Sequence, residues 1–244
     1  MKVVKVSFLA ILVASLFLSA CSKEDTCING QGAVITRTLS VASFTGIDLA
    51  GASNITISQG PTQIVKAIGQ ANIIDRVKTE VSNNYWSISL IDGCYDNYEL
   101  SFEITVPNIN EIDLSGSGNI IVNNFSNQGD LSIDIEGSGN ITLNTFDGAE
   151  NLSVDISGSG KIEGNADFSD LKTLAINISG SGDYTGFPIQ TDECEINIPG
   201  SGNCSVYVRD VLVVNISGSG NVLYKGNPAI TSNITGSGSI IDAN

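Results

Sequence analysis

Apolar and polar residues alternate strictly over short stretches of this chain, and most of these stretches end at the tripeptide Gly-Ser-Gly. The run from Leu131 to Ile135 has an apolar residue at every second position and polar residues between them. Such alternation is typical of a β-strand with one buried face. Two glycines around a serine favour a corner, where a residue can take a positive φ angle and where backbones can lie close together. The sequence therefore predicts a repeated unit of strand, corner and strand.

The spacing of the tripeptide gives the length of the repeat. Successive copies lie 21, 21, 22, 20, 18 and 18 residues apart, and their first glycines are Gly116, Gly137, Gly158, Gly180, Gly200, Gly218 and Gly236. This period is typical of a solenoid in which each repeat forms one coil and pairs in parallel with its neighbours. The predicted fold is all-β, a single-stranded right-handed parallel β-helix with about 18 to 22 residues per coil. The predicted β-helix spans residues 33–244, with clean repeats over 111–244.

Residues 33–110 fit the same scheme less regularly. The segment around Gly51 matches the template, and the 65 residues that separate Gly51 from Gly116 equal three periods of about 22. We therefore expect two degenerate coils between these two glycines. The predicted strands cover 63–68, 77–81, 86–91 and 99–106, with a short helix as the alternative for 71–78. Trp86 is predicted to lie in the core rather than to form a ligand platform.

The first residues resemble a bacterial lipoprotein signal. Lys2 and Lys5 precede an apolar run that is too short to span a bilayer, and this run ends in Leu18-Ser19-Ala20-Cys21. The resemblance implies that residues 1–20 are a signal peptide and that Cys21 carries lipid. Residues 21–32 would then be a tether that holds the domain on a membrane. An uncleaved signal anchor is the alternative.

The residues after Cys21 bear on which membrane face the domain occupies. Ser22 is similar to the residue that follows the lipidated cysteine in outer-membrane lipoproteins. The next three residues, Lys-Glu-Asp, resemble the export tag of surface-displayed lipoproteins in the Bacteroidetes group. The resemblance implies an outer-membrane lipoprotein on the cell surface. A periplasm-facing anchor stays open as the alternative.

Acidic residues outnumber basic ones, 26 to 11, which gives a net charge of −15. Removal of residues 1–20 takes away two lysines and no acidic residue, so the mature chain carries −17. A field of this sign argues against nucleic acid and against anionic lipid headgroups as partners. It favours solubility.

Five cysteines become four if Cys21 carries lipid, and an extracytoplasmic location permits disulfides. The predicted pairs are Cys27 with Cys94, which ties the tether to an early coil, and Cys194 with Cys204, which lie at inward positions on either side of one corner. In the alternative interpretation Cys194 and Cys204 are small buried hydrophobic residues. The chain has no histidine and no Cys-x-x-Cys spacing that would support a zinc site.

Several segments together resemble a known family. They are the phrase Gly-Ser-Gly-Asn-Ile at 116–120 and 137–141, the lead-in Phe44-x-x-Ile47-x-Leu49-x-Gly51, and the pair Val106-Pro107. These features are similar to the putative auto-transporter adhesin head GIN domain family over about residues 33–244. The resemblance implies a right-handed β-helix on a secreted or lipid-anchored protein with an adhesin-like role.

Candidate chemistry lies on outward positions, because equivalent residues of successive coils stack into columns. The position three residues before each corner reads Asp48, Asp113, Asp134, Asp155, Asn177, Asn197, Asn215 and Asn233. Stacked amides can staple coils together. Alternatively, Asp113, Asp134 and Asp155 hold calcium, the one cofactor that stays open, or the polar face binds a glycan. A polysaccharide-active enzyme is the runner-up, because two carboxylates about 5 to 5.5 Å apart suit retaining hydrolysis. The missing histidine and the scarcity of basic residues argue against it.

The sequence therefore predicts a non-enzymatic, lipid-anchored β-helix that acts as an adhesin-like binding or scaffold module at the cell envelope. Its expected partners are the membrane, through the lipid, and a glycan or a surface protein. The strand at 230–234 has no obvious cover, and Ser232 occupies an inward position that is apolar in other coils. An uncovered edge is a template for strand pairing, so self-association through this edge is also expected.

Overall fold

The computed structural model describes residues 27–244 and shows short strands stacked in layers. The predicted signal peptide, Cys21 and the first part of the tether lie outside the described residues. Within residues 27–244, no helix has the length and apolar character needed to cross a membrane. The described part of the chain contains one short helix, α1 (Ala71–Ile74).

The strands are β1 (Ile28–Asn29), β2 (Val34–Leu39), β3 (Gly46–Leu49), β4 (Asn54–Gln59), β5 (Ile64–Gln70), β6 (Val81–Ser82), β7 (Tyr85–Ile88), β8 (Tyr95–Asp96), β9 (Leu100–Val106), β10 (Glu111–Leu114), β11 (Asn119–Val122), β12 (Leu131–Ile135), β13 (Asn140–Leu143), β14 (Asn151–Ile156), β15 (Lys161–Gly164), β16 (Thr173–Ile178), β17 (Asp183–Ile198), β18 (Cys204–Ile216), β19 (Val222–Lys225), β20 (Ala229–Ile234) and β21 (Ile240–Asp242).

Two walls of parallel strands meet at the Gly-Ser-Gly corners. The first wall precedes the corners and contains, in spatial order, β7, β3, β10, β12, β14, β16, the second halves of β17 and β18, and β20. The second wall follows the corners and contains β9, β4, β11, β13, β15, the first halves of β17 and β18, β19 and β21. The predicted solenoid of strand, corner and strand is therefore confirmed.

Equivalent residues lie directly above one another in the walls. Ile133 pairs with Ile112 on one side and with Val154 on the other, and all three side chains are buried. Away from the corners, the rings of Phe125, Phe146 and Phe168 also stack, with centroids 5.5 and 5.8 Å apart. The core is thus a set of apolar columns that run along the solenoid axis, and each layer depends on its neighbours for burial.

The corners line up in a single file along the axis. The amide of each corner serine donates a hydrogen bond to the carbonyl of the first glycine in the preceding layer, at 2.9 to 3.1 Å. A Cβ atom on Gly158 would lie 2.0 Å from the carbonyl oxygen of Gly137, and the other corner glycines after Gly51 are equally crowded. None of the corner glycines adopts a φ in the left-handed region, so the expected positive φ angle is wrong. Close packing of backbones is what requires glycine here.

The order of the first layers differs from the sequence prediction. β10 pairs directly with β3, so that Ile112 lies beside Ile47, and the two degenerate coils expected between Gly51 and Gly116 do not lie there. β7 and β9 pack instead on the opposite side of β3 and β4. β5 then pairs antiparallel with both β9 and β2. After β4, the chain forms β5 to β9 on one side of β3 and β4. It then returns to the opposite side of these two strands, where β10 and β11 continue the solenoid.

At this N-terminal end, the apolar core of the solenoid is covered by other parts of the chain. Trp86 is fully buried between the rings of Phe44 and Phe102, with centroids 5.5 and 6.0 Å away, and its Nε1 donates to the carbonyl of Lys78. The prediction that Trp86 lies in the core is confirmed, and α1 confirms the helix alternative for part of 71–78. At the opposite end, β20 and β21 have no strand on their outer side within residues 27–244, and all six residues of β20 are exposed.

The structure contains the predicted Cys27–Cys94 disulfide but not the second pair. Cys194 and Cys204 are free thiols and are buried, which corrects the predicted Cys194–Cys204 disulfide. Each of them fills an apolar column of a different wall, since Cys194 pairs in register with Leu174 and Cys204 with Val222. Burial raises the pKa of both thiols, which keeps them protonated and unreactive. Their role is that of small hydrophobic residues.

Candidate functional site

The predicted outward residues form one continuous column on the first wall. Asp113 pairs in register with Asp48 and Asp134, and Asp134 pairs with Asp155. The column continues through Asn177, Asn197, Asn215 and Asn233. Successive layers of a sheet lie about 4.8 Å apart. We call these eight residues the acid–amide column.

Three of the four carboxylates in the column have hydrogen-bond donors. Asp48 accepts bonds from the backbone amide and the hydroxyl of Ser115, at 3.1 and 2.7 Å. Asp113 accepts a bond from the Tyr85 hydroxyl, and Asp155 accepts one from Nδ2 of Asn177 at 2.9 Å. The Tyr85 ring reaches Asp113 by lying over Gly46, where a Cβ atom would meet the ring at 2.7 Å.

Asp134 is the one carboxylate of this column that has no hydrogen-bond donor within residues 27–244. Its Oδ1 atom is buried and has no hydrogen-bond partner within residues 27–244. The pKa of Asp134 is raised to about 6, mainly by burial and further by the negative charges of Asp155, Asp113 and Glu136. The pKa of Asp113 is also raised, mainly by burial, although its bond from Tyr85 acts in the opposite direction. Stacked carboxylates therefore repel one another near neutral pH.

This repulsion predicts how an Asp134→Asn variant behaves. The folded state holds the Asp134 proton more tightly than the unfolded state, so its stabilising effect is complete below the unfolded pKa of about 3.8 and is lost as the pH rises through about 6. The uncharged variant is expected to be more stable than the parent by about 1 kcal/mol at pH 7.5, after allowance for solvent screening of a partly exposed carboxylate. Thermal melts between pH 4 and pH 8 measure this difference, which should disappear towards the acidic end.

An exposed carboxylate outside the column provides the control for this prediction. Asp210 is exposed and its side chain makes no hydrogen bond or ion pair within the described residues, so Asp210→Asn should stay close to the parent in these melts. An Asp134→Asn variant that is no more stable than the parent at pH 7.5 contradicts the proposed repulsion.

The calcium hypothesis finds no support in this arrangement. Within residues 27–244, no group of three or more His, Cys, Asp or Glu side chains is placed to hold a metal ion. Asp113, Asp134 and Asp155 stand side by side on a flat wall, one per layer, instead of converging on a point. Calcium needs six to eight oxygen ligands around one centre. Asp113, Asp134 and Asp155 alone therefore do not provide a calcium shell.

The amide part of the column does not staple the layers as one hypothesis supposed. Among its four asparagines, only Asn177 makes a side-chain hydrogen bond within the described residues. Stapling occurs instead on the second wall, directly after the corners, where Oδ1 of Asn54 accepts bonds from the amide and Nδ2 of Asn119, at 3.2 and 2.9 Å. Asn140 then donates to Asn119 at 3.0 Å. Asn197, Asn215 and Asn233 consequently keep their donors and acceptors free for another molecule.

Two of the grooves on the outer faces of the walls are lined by the column or by the stapled asparagines. The first has a volume of about 230 Å³ and is lined by the four asparagines of the column together with Pro199, Ser217 and Thr235. The second, of about 570 Å³, crosses the second wall above the stapled asparagines and ends at Lys161. Its floor includes Ile121, which is 41% exposed. The second groove was not expected from the sequence, although an apolar residue at an outward position, as in Ile120-Ile121-Val122, is a signal that could have pointed to it.

A family model described as putative auto-transporter adhesin, head GIN domain, matches residues 43–228. The chain belongs to this family. The matched range contains every corner from Gly51 to Gly218, and so the family resemblance carried by the corner motif is confirmed. No protein of curated function matches this GIN domain.

Solved structures with a similar fold include proteins from Bacteroides and Parabacteroides species. The GIN domain is similar to a putative adhesin from Bacteroides fragilis, with 24% identity and a TM-score of 0.76 over 87% of this chain and 98% of that chain. It is also similar to a putative adhesin from Parabacteroides distasonis, with 23% identity and a TM-score of 0.68 over 87% and 98%. A structure described as a putative lipid binding protein, from Parabacteroides distasonis, has 25% identity and a TM-score of 0.73 over 89% and 99%.

Proposed function

We propose that this GIN domain is a non-enzymatic, adhesin-like binding module that is held at the outer membrane by lipid on Cys21 and displayed on the cell surface. Family membership supports an envelope protein with an adhesin-like role. The apolar run that ends in Leu18-Ser19-Ala20-Cys21 supports the lipid anchor, and the acidic residues that follow support export to the surface. The proposed ligand is a glycan that lies along the first wall.

The free amide groups of the acid–amide column carry this proposal. Each asparagine side chain offers two donors and one acceptor oxygen, which matches sugar hydroxyls that both donate and accept. Asn197 and Asn233 are exposed and Asn215 is half-buried, and the three lie in register on a rigid wall. A row of fixed polar groups loses little conformational freedom when it binds an extended chain. The strongly negative charge of the domain favours neutral or amino glycans over acidic ones.

A glycan array followed by calorimetry tests this ligand class. A double variant, Asn197→Ala with Asn215→Ala, is expected to weaken binding of the selected glycan at least about tenfold, because it removes free amides at two adjacent layers. Asn165→Ala is the matched control, since Asn165 is exposed and its side chain makes no hydrogen bond within the described residues. Binding that survives the double variant contradicts a site on the first wall. A bound protein in place of a glycan contradicts the ligand class.

Two cell experiments test the anchor. A Cys21→Ser variant should move from the membrane fraction to the soluble fraction, because the thiol that carries the lipid is gone. Protease treatment of intact cells should release the parent domain into the medium. A domain that is protected in intact cells but cleaved after lysis contradicts surface display and favours the periplasm-facing alternative.

One observation favours an enzyme as the second candidate. Asp134 has a raised pKa, and Asp155 lies in register with it in the adjacent layer. A glycoside hydrolase uses two neighbouring carboxyl groups, one of which is an acid with a raised pKa. Against this role, the carboxylates lie one per layer along a single wall, and within residues 27–244 Asp134 has no basic residue paired with it. Assays on polysaccharides with the parent and with Asp134→Asn separate the two functions. Turnover by the parent that disappears in the variant contradicts the binding module.

We also propose that the C-terminal edge mediates self-association. Ile230 and Ile234 are each 41% exposed on the last strand of the first wall. The free backbone groups of β20 and β21 can pair with the same strands of a second copy. Light scattering of the purified mature domain tests this part of the proposal, and a monomer at high concentration contradicts it.

A further inference from the structure

The layer formed by β7 and β9 has no corner. β7 ends at Ile88 and β9 begins at Leu100, and residues 89–99 leave the solenoid as a loop instead of turning directly. The corner at Gly51–Ser53 joins β3 to β4 in the adjacent layer. On the side that faces β7 and β9, no equivalent corner covers its backbone. A recess of about 250 Å³ remains there, between this corner, the ends of β7 and β9, and the loop.

The loop that closes the recess is held at several points. The amide of Lys78 donates to the carbonyl of Ser89 at 2.9 Å, and the amide of Ile91 donates to Arg76 at 2.7 Å. The Cys27–Cys94 disulfide joins the loop to the residues before β2, and β1 pairs with β8 beside it. The recess is thus part of the folded architecture, so that little ordering is needed when a ligand enters.

A backbone donor without an acceptor within residues 27–244 lines the recess. In the seven Gly-Ser-Gly corners, the serine amide donates to a glycine carbonyl of the preceding layer. Ala52 occupies the equivalent place in the first corner, and its amide has no acceptor within residues 27–244, because the layer before it lacks the corner. By analogy with the other corners this N–H group points along the axis into the recess. It offers a hydrogen bond to a carbonyl oxygen that takes the place of the missing glycine carbonyl.

The side walls of the recess are aromatic and apolar. Tyr95 and Tyr98 pack edge to face with ring centroids 6.0 Å apart, and the Tyr95 hydroxyl is fixed by a 2.6 Å bond to the carbonyl of Ile91. The Tyr98 hydroxyl makes no hydrogen bond within the described residues. Leu90, Leu100 and Phe102 complete the apolar lining. Tyrosine rings beside a polar donor are suited to the apolar face of a sugar ring with a polar substituent.

We infer that this recess binds a 2-acetamido sugar unit, with the acetamido carbonyl accepting a hydrogen bond from the Ala52 amide and the ring against Tyr98. This inference deepens the proposed glycan binding, on which it rests for the ligand class. The volume suits one sugar unit rather than a long lipid chain. Anions are disfavoured, because the nearby ammonium group of Lys78 is already paired with Asp92 at 3.0 Å and the domain is strongly acidic.

An NMR titration of the whole mature domain tests the inference. N-acetylglucosamine is expected to shift the Ala52 amide resonance, whereas glucose, which lacks the acetamido group, should shift it far less. Tyr98→Ala should weaken N-acetylglucosamine binding about tenfold, because a stacking ring is lost. Tyr98→Phe, which keeps the ring, should bind like the parent. Unshifted resonances of the distant corner amides verify that both variants are folded.

The outcomes separate this site from the one on the first wall. Binding of N-acetylglucosamine that persists in the Asn197→Ala and Asn215→Ala double variant but fails in Tyr98→Ala supports the recess independently of the column. An unmoved Ala52 resonance, or equal shifts with glucose, overturns the inference. Preferential binding of a short peptide at Ala52 also overturns it, since the carbonyl then belongs to a protein. Loss of glycan binding in the double variant alone affects only the proposed function of the first wall.

Discussion

Replacing Gly158 with alanine is expected to destabilise the domain more than any exposed substitution. The added Cβ atom would lie 2.0 Å from the carbonyl oxygen of Gly137 and 2.3 Å from that of Glu136. Both neighbours are backbone atoms of the preceding layer, so the two layers must separate and lose the corner hydrogen bonds. The expected cost is about 3 kcal/mol or more. In a chain of this length, that cost lowers the melting temperature by about 6 to 12 °C.

The neighbouring serine gives a matched control for Gly158→Ala. Ser159 lies in the same corner, is exposed, and its hydroxyl makes no hydrogen bond within the described residues. Ser159→Ala should therefore change the free energy of unfolding by no more than about 0.5 kcal/mol. A Gly158→Ala protein that melts within about 2 °C of the parent contradicts close packing as the reason for glycine.

Truncation of Phe146 to alanine is the second substitution with a large expected effect. Its ring is fully buried between Phe125 and Phe168, with centroids 5.5 and 5.8 Å away. Removing it leaves a cavity between two rings that belong to different layers, and these layers are held apart by their own strands. Such a substitution costs about 3 to 5 kcal/mol. Thermal or denaturant unfolding of the variant measures this loss.

Phe187 supplies the comparison for this prediction. It is only partly buried and has the Lys225 ammonium 4.9 Å from its ring centroid. Phe187→Ala should cost about 1 kcal/mol or less, because it removes one exposed contact with a cation. Equal costs for the two substitutions contradict the stack of phenylalanines as a major support of the solenoid.

The regular part of the fold could be predicted because the same two constraints, burial of one strand face and close backbone approach at the corner, act on every repeat. Leu131 to Ile135 alternates like the runs above and below it, so burial of one face forces the same register in each layer. The corner glycines repeat because backbone approach is equally close at each layer. The column of Asp113, Asp134 and Asp155 followed directly from that register. The Cys27–Cys94 pair was also predictable, because few partners were available in an extracytoplasmic chain.

The first layers could not be predicted, since alternation does not specify the partner or the direction of a strand. β5 buries every second residue from Val65 to Gly69, as the repeat strands do, yet it pairs antiparallel with β9. The distance from Gly51 to Gly116 equals three periods, but a count of residues cannot tell whether the intervening segments lie between two layers or beyond one of them. Only the contact of Ile112 with Ile47 answers this question.

The sequence also did not show which asparagine side chains have hydrogen-bond partners. Asn197 and Asn203 look equivalent as outward polar residues, but only Asn203 has a side-chain partner, Asp183, in the previous layer. After several corners, a backbone amide donates to a side-chain oxygen of the preceding layer instead of to a backbone carbonyl. The amide of Asn203, for example, donates to Oδ1 of Asp183 at 2.7 Å. Before the corners at Gly158, Gly180, Gly218 and Gly236, the backbone amide instead donates to a backbone carbonyl of the preceding layer. The free amides of the first wall are a result of this difference.

Disulfide trapping across the first two corners tests the layered arrangement most directly. Ala52 and Ser117 occupy equivalent places in adjacent layers, which lie about 4.8 Å apart, a separation that a disulfide can bridge. A protein with Ala52→Cys and Ser117→Cys should therefore form this cross-link under mild oxidation, detected by mass spectrometry of its peptides. Ala52→Cys with Ser138→Cys, two layers apart, should not. Absence of the first cross-link together with formation of the second would contradict the direct packing of the Gly116 layer on the Gly51 layer.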